Sequence, residues 1–242
     1  MAIGSIVRKK NDSEFLSELA PAGLRLIQPH LTKVDLVAKA VLARPYSKID
    51  TAYFPIDSTL LVDIELANDA SFSTGLIGRD GLFGAGMALD DRVCLYSVTV
   101  LGAGTAYSIA VERLKGLLLQ IPELRKRALA YEQFLFAQVQ QTAACSALHE
   151  LPGRFSSWFL RLREYAGDEI DLTQSDIAQM LGVRRTSVTE CALDLQRAGA
   201  IEYRRGAITI LNKRKLEKAS CGCHAEVADH FSRLFDENFE DD

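Results

Sequence analysis

Between residues 184 and 190, Arg184 and Arg185 are followed by Thr186, Ser187, Val188, Thr189 and Glu190. A guanidinium can pair bidentately with guanine O6 and N7, and a hydroxyl can bond a phosphate or a base edge. A carboxylate can accept from cytosine N4 or orient an arginine. Two adjacent cations at a helix start oppose the helix macrodipole, so something other than helix stability requires them. The chemistry suggested is non-covalent readout of a duplex. No nucleophile–base pair with useful context, Gly-rich phosphate loop or convincing zinc set is found, so no catalytic residue is assigned and an enzyme is not expected.

Such groups need a scaffold that holds them outward. Thr173 can cap a helix through its hydroxyl, and Asp176, three residues on, can reciprocate. Ile177 and Leu181 should point inward. Ala178 is small enough for a second helix to cross closely, and Gly182 lets the chain reverse without a Cβ. Val183, Val188 and Cys191 complete the apolar seam, with Leu193 and Leu195 extending it. A small residue, a glycine four on and a valine six later fit a helix-turn-helix, although an ordinary αα-hairpin reproduces some of the pattern. The second helix should begin near Arg184. Residues 201–210 then read as strand, turn at Gly206 and strand, a wing from which Arg204 and Arg205 project. The candidate DNA-binding set is Thr173, Arg184, Arg185, Thr186, Ser187, Thr189, Glu190, Arg204 and Arg205. In it, phosphate contacts would set register and base contacts sequence preference.

The chain has 242 residues, 48% apolar and 25% charged, which is enough for a real core. Its formal net charge of −4 hides a split: residues 151–220 hold 12 Lys/Arg against 9 Asp/Glu, whereas residues 221–242 hold 1 against 7. The basic excess therefore lies with the helix pair. No apolar run reaches the length of a membrane span, and Arg8, Lys9 and Lys10 precede no signal-peptide core, so a cytoplasmic protein with no membrane partner is expected. The five cysteines do not suggest a disulfide scaffold. Cys145 and Cys191 read as small buried apolar residues. Cys221-Gly-Cys223-His224, with His230 beyond, lacks a second ligand pair of suitable spacing, so no metal site is assigned.

Residues 13–43 begin as irregular helix, broken by Pro21 and Pro29, and become extended. Short apolar runs follow at Leu60–Ile64, Val93–Val100 and Ala106–Val111. They are separated by turn signals at Asn68-Asp69, Arg79-Asp80-Gly81, Asp90-Asp91 and Gly102-Ala103-Gly104, the pattern of a double-layered or barrel-like β domain. That domain either only packs or holds a ligand. From Pro122 to Leu151 there is no internal Pro or Gly, and a helix of ~30 residues there would be about 45 Å long. One stripe runs Leu124, Ala128, Tyr131, Leu135, Gln138, Thr142, Cys145. A second runs Ala130, Phe134, Ala137, Gln141, Ala144, Leu148. Two stripes need two partners: the β domain and the same helix of a second subunit. The alternative is complete burial within a monomer. Pro152-Gly153 should break this helix, and Phe155, Trp158, Phe159 and Leu162 should start another. The acidic segment 236–242 reads as a solvated end.

The run LTQSDIAQMLGVRRTSVTECALDLQRAGAIEYRRGAITI resembles the cyclic-AMP receptor protein / fumarate-nitrate regulator (Crp/Fnr) family of bacterial transcription factors. The preceding AQVQQTAACSALHELPGRFSSWFLRL and the N-terminal TAYFPIDS and GLIGRDGLFGAGMAL fit the same family. The resemblance implies an α+β chain: a double-stranded β-helix (jelly-roll) sensor over 1–121, a dimerisation helix over 122–151, a winged helix-turn-helix over 152–220 and a C-terminal helix with acidic tail over 221–242. It also implies a sequence-specific regulator, a homodimer on double-stranded promoter DNA, with RNA polymerase as a further candidate partner and a small-molecule effector in the roll. In the family's recognition helix Arg185 keeps an arginine, whereas Thr186 replaces a usual glutamate and Glu190 a usual arginine, so the operator cannot be borrowed. Gly84-Ala85-Gly86-Met87-Ala88-Leu89 lacks the glutamate of cyclic-nucleotide binders, and Leu95-Tyr96 stands near their arginine, with Arg92 out of register. A buried phosphate without a paired cation is costly. Weak cyclic-AMP binding is expected, no cofactor is assigned and the effector is unknown. Iron–sulfur sensing lacks clustered cysteines, and His30 gives weak support for haem. The alternatives are a cyclic-nucleotide-dependent regulator of the same fold and a partner-binding protein that has lost DNA recognition.

Overall fold

The computed structural model describes residues 12–66, 71–90, 93–204 and 206–235. Arg8, Lys9, Lys10, the Asn68-Asp69 turn, Asp91, Arg92, Arg205 and the acidic segment 236–242 lie outside the described residues.

The N-terminal part opens with α1 (Glu14–Ser17), α2 (Pro21–Ile27) and a 3-10 turn at Gln28–His30. Pro21 sits in the first turn of α2, where its missing N–H leaves no bond unmade. Seven strands follow: β1 (Thr32–Leu36), β2 (Val41–Ala43), β3 (Thr51–Pro55), β4 (Thr59–Glu65), β5 (Ser71–Ile77), β6 (Ser97–Gly102) and β7 (Gly104–Ala110). They form two antiparallel sheets of order β1-β7-β3 and β2-β6-β4-β5. Phe54, Leu60, Val62, Ile77, Val98, Val100 and Ala106 fill the space between them. A short helix, α3 (Ala85–Asp90), which the residue pattern had not revealed, lies between β5 and β6. Two expected strand boundaries move: residues 93–96 are not strand, and Val111 starts α4 (Val111–Gln120) instead of ending β7.

The long helix α5 (Pro122–Leu148) has 27 residues and spans about 40 Å. Every member of its first stripe, from Leu124 to Cys145, is buried. The polar members have a specific task. Gln138 accepts from Leu76 N (3.0 Å) and donates to Leu76 O (3.1 Å), while Thr142 Oγ1 donates to Thr74 O (2.9 Å). β5 is the edge of its sheet, so these side chains satisfy backbone groups that would otherwise be open to pairing.

The second stripe is only partly covered, and its partner is in the same chain. Phe134 packs edge-on against Phe231 (centroids 5.1 Å apart) of α10 (Cys223–Phe235), whereas Ala144 and Leu148 are exposed. Among the described residues, the seam left without a partner is a different one: Leu129, Gln133, Phe136, Gln140, Ala143 and Ala147, all exposed and spaced by alternating four and three residues.

The chain breaks at His149 and Glu150, both extended, before α6 (Leu151–Ala166). Pro152 was expected to break the long helix. It lies instead in the first turn of the next, where it costs no hydrogen bond. Phe155, Trp158, Phe159 and Leu162 are buried as expected. They share a core with β8 (Glu169–Ile170), α7 (Gln174–Leu181), α8 (Arg185–Arg197), β9 (Ile201–Arg204), β10 (Ala207–Ile210) and Leu216 of α9 (Lys213–Ala219). Leu193 is exposed and does not extend that core, because it falls on the face of α8 opposite Val188, Cys191 and Leu195.

The head docks on its own roll. Leu61 of β4 and Leu76 of β5 point away from the roll interior into the head's core. Burial on both faces explains why β4 reads as a continuous apolar run instead of alternating. Lys39 Nζ pairs with Asp176 Oδ1 (3.0 Å), Gln179 Nε2 bonds Ser71 Oγ (2.6 Å) and Tyr165 OH bonds Asp80 Oδ2 (3.0 Å). Burial raises the Asp80 carboxyl to about 6, against the opposing pull of its Tyr165 hydrogen bond.

Folding also supplies the ligand pair that Cys221 and Cys223 lacked in the linear pattern. Cys145 and His149, one helical turn apart at the end of α5, bring their ligand atoms together with those of Cys221 and Cys223, all within 4.8 Å of one another. The linear spacing, from which no metal site was assigned, does not show this grouping of four side chains that could hold a metal ion. His224, the neighbour considered from sequence, turns instead to Ser220 Oγ (3.0 Å).

Candidate nucleic-acid interface

Thr173 forms the expected capping box at the start of α7. Its Oγ1 accepts from Asp176 N (3.2 Å), and Asp176 Oδ2 accepts from Thr173 N (3.0 Å). Partial burial works to raise the Asp176 carboxyl, but the Thr173 and Lys39 hydrogen bonds outweigh it and hold the group below its ordinary value. Gly182 ends α7 at φ +64°, a left-handed conformation that a Cβ would strain. A Cβ there would also meet the Phe72 ring of β5 at 3.0 Å. Ala178 is buried at the crossing of α7 and α8, and Val188, Cys191, Ala192 and Leu195 close it from the other side.

This crossing fixes which face of α8 turns outward. Arg184 is the residue before the helix, and Arg185 is its first. Arg184, Arg185, Thr186 and Glu190 are exposed, whereas Ser187 and Thr189 are half-buried. Thr189 Oγ1 bonds Gln174 Oε1 (2.9 Å) and Arg185 O (3.0 Å), and Arg185 Nε reaches the same Gln174 oxygen at 3.4 Å. Gln174 thus joins the start of α7 to the first turn of α8. Sequence reasoning missed it, although its place just after the cap was a usable signal.

The wing is a three-stranded sheet of order β8-β10-β9. Tyr203 OH accepts from Gln174 N (3.2 Å), which ties the wing to an otherwise unpaired amide of α7. Arg204 is exposed and ion-paired with Glu202 (2.7 Å), so a phosphate would have to compete with that carboxylate. The structure therefore brings Thr173, Arg185 and Thr189 together around Gln174. Arg184, Thr186, Ser187 and Glu190 lie along the same helix start, and Arg204 lies on the adjoining wing.

In the roll, the short helix α3 places Gly86 N 2.9 Å from Glu132 Oε1 of α5. Burial raises the Glu132 carboxyl, and the Gly86 hydrogen bond opposes that rise. The amide that could have met an anion already has a carboxylate. Phe54, Leu82 and Phe83 are buried in the core of the same roll.

Residues 153–219 match the family model of the Crp-like helix-turn-helix domain. No curated protein matches the chain. Among solved structures, it resembles a Crp/Fnr-family protein from Eubacterium rectale at 18% identity, over 85% of this chain and 97% of that one, with TM-score 0.67. It also resembles FixK2 from Bradyrhizobium japonicum at 11% identity, over 79% and 98%, with TM-score 0.67. A Crp/Fnr-family transcriptional regulator from Thermus thermophilus is similar at 19% identity, over 78% and 98%, with TM-score 0.64. The C-terminal segment is a Crp-like helix-turn-helix domain, and the chain has the fold of the Crp/Fnr transcription regulators.

Proposed function

We propose that this protein is a sequence-specific DNA-binding transcription regulator that works as a homodimer. The observation that carries this reading is the exposed polar start of α8, held outward by the buried Ala178–Val188 crossing. Its readers are Arg184, Arg185, Thr186 and Glu190, with Ser187, Thr189 and Thr173 supporting and Arg204 approaching phosphate from the wing. The Leu129–Ala147 seam of α5 supplies the twofold contact, which sets two copies of α8 about one turn of duplex apart, ~34 Å. The deciding experiment is retention of genomic DNA fragments at increasing salt. A subset should be held, with log affinity falling linearly against log salt. Retention that ignores salt, or no retention, would leave a partner-binding protein as the better reading.

The effector is not a cyclic nucleotide. A cyclic phosphate at the start of α3 would meet the Glu132 carboxylate, and a buried anion facing an anion is strongly disfavoured. Calorimetry with cyclic AMP and cyclic GMP should show no saturable heat; micromolar binding of either would refute this assignment. A ligand in the roll would reach the head through the Lys39–Asp176, Ser71–Gln179 and Asp80–Tyr165 contacts, and would shift DNA affinity only by its differential affinity for the docked and released arrangements.

A further inference from the structure

We propose that Cys145, His149, Cys221 and Cys223 form a tetrahedral site for a single zinc-class divalent ion. Cys145 lies in the last turn of α5, and His149 is the extended residue that caps the helix, its N–H bonded to Cys145 O (3.0 Å). Cys221 and Cys223 flank Gly222, whose φ of +87° lets the chain turn both thiols toward that helix end. Cys221 Sγ lies 3.6 Å from Cys145 Sγ, and Cys223 Sγ lies 3.5 Å from His149 Nδ1. With Zn–S about 2.3 Å and Zn–N about 2.0–2.1 Å, a tetrahedron has S···S edges of about 3.8 Å and S···N edges of about 3.6 Å. These two edges match, and a spread of at most 4.8 Å over the whole set leaves room for one ion. Thiolate and imidazole together favour zinc over hard cations such as magnesium or calcium.

Arg161 is an independent observation. It is a buried cation that lines one small cavity with Cys145 and Cys223. Its guanidinium stacks on Trp158 at 4.5 Å and donates to Gln138, and among the described residues no carboxylate pairs with it. A buried cation without a counter-charge is expensive. Three thiolates, one neutral imidazole and a divalent ion carry a net charge of −1, which is the counter-charge Arg161 lacks.

The site also has a mechanical consequence. Its two halves lie on either side of the head: the last turn of α5 before the break at His149–Glu150, and the loop that starts α10. Cys221 N bonds Gly153 O (3.2 Å) in the first turn of α6, so the ion would staple the point where the long helix hands over to the head.

The test uses the whole 242-residue chain, purified reduced and without chelator. Elemental analysis should find about one zinc per chain, and cobalt substitution should give the intense visible bands and thiolate charge-transfer absorption of tetrahedral sulfur-bound cobalt. Cys145→Ser and Cys223→Ser should each weaken zinc binding roughly a hundredfold or more, more than loss of an outer-shell partner does. Cys191→Ser, which alters a buried thiol of the α7–α8 seam, should retain the ion. Mercurial titration of the unaltered protein should release zinc as thiols are consumed, which keeps the test independent of variant folding. The proposal is overturned if the reduced protein takes up neither zinc nor cobalt, if cobalt enters without thiolate absorption, or if Cys145→Ser and Cys223→Ser bind as tightly as the parent. Isolation with a Cys145–Cys221 disulfide, and no ion bound after reduction, would also overturn it.

Discussion

Arg185→Ala should lower affinity for a selected operator by roughly 5- to 150-fold, the loss of about 1–3 kcal/mol that goes with one bidentate base contact. The side chain is exposed on the first residue of α8, and among the described residues it meets only Gln174, at 3.4 Å, so the fold should not depend on it. Thermal unfolding should therefore stay close to the parent's while the footprint weakens. The pattern of the loss identifies the kind of contact. A base contact gives relaxed preference at one operator position and an almost unchanged salt slope, whereas a phosphate contact gives a uniform loss and a slope smaller by about one. Arg185→Lys restores charge without the planar fork, so it should recover little of the specificity. An unchanged footprint in Arg185→Ala would show that the reading face of α8 has been misplaced.

Phe136→Glu should separate the proposed dimer. Phe136 is 61% exposed and Leu129 49% exposed, on a seam that continues through Ala143 and Ala147. Paired against its own twofold copy, the seam would bury these rings and chains, and its small C-terminal residues let two helices approach closely. Glutamate at 136 would set two carboxylates against each other in that interface. Sedimentation should show a monomer with unaltered helix content. Affinity for an operator with two half-sites should fall by ~10²–10⁴, because the second head loses the effective concentration that linkage gave it. A variant that remains dimeric would place the twofold contact elsewhere. Ala144→Glu and Leu148→Glu, on the second of the two stripes read from the sequence, should disturb the dimer less.

The two stripes of α5 show where linear reasoning ends. Period alone revealed that the helix had more than one apolar side, and the Leu124–Cys145 stripe is the buried one. Period could not show that α10, far along the chain, would take the Phe134 side and leave Leu129 and Phe136 open. Gln138 and Thr142 fall on the apolar stripe by spacing, and only the fold shows that β5 supplies the backbone groups they satisfy. Pro152 was read as a breaker because its cost depends on position: in a first turn there is no bond for it to remove.

By itself the sequence determined the helix-turn-helix and its outward face. Those depend on short-range rules: a cap three residues from its partner, a glycine that must adopt positive φ, and small and apolar residues at helical spacing. The double-sheet class of the N-terminal part was legible in the same way, from strand lengths and turn residues. Only the tertiary structure decided which seam of α5 is free, that Glu132 occupies the amide of Gly86, that the head leans on β4 and β5, and that Cys145 and His149 meet Cys221 and Cys223. Each of these is a contact between residues dozens of positions apart or between separate elements. Local propensity carries no information about such pairs, because packing of the whole chain selects them.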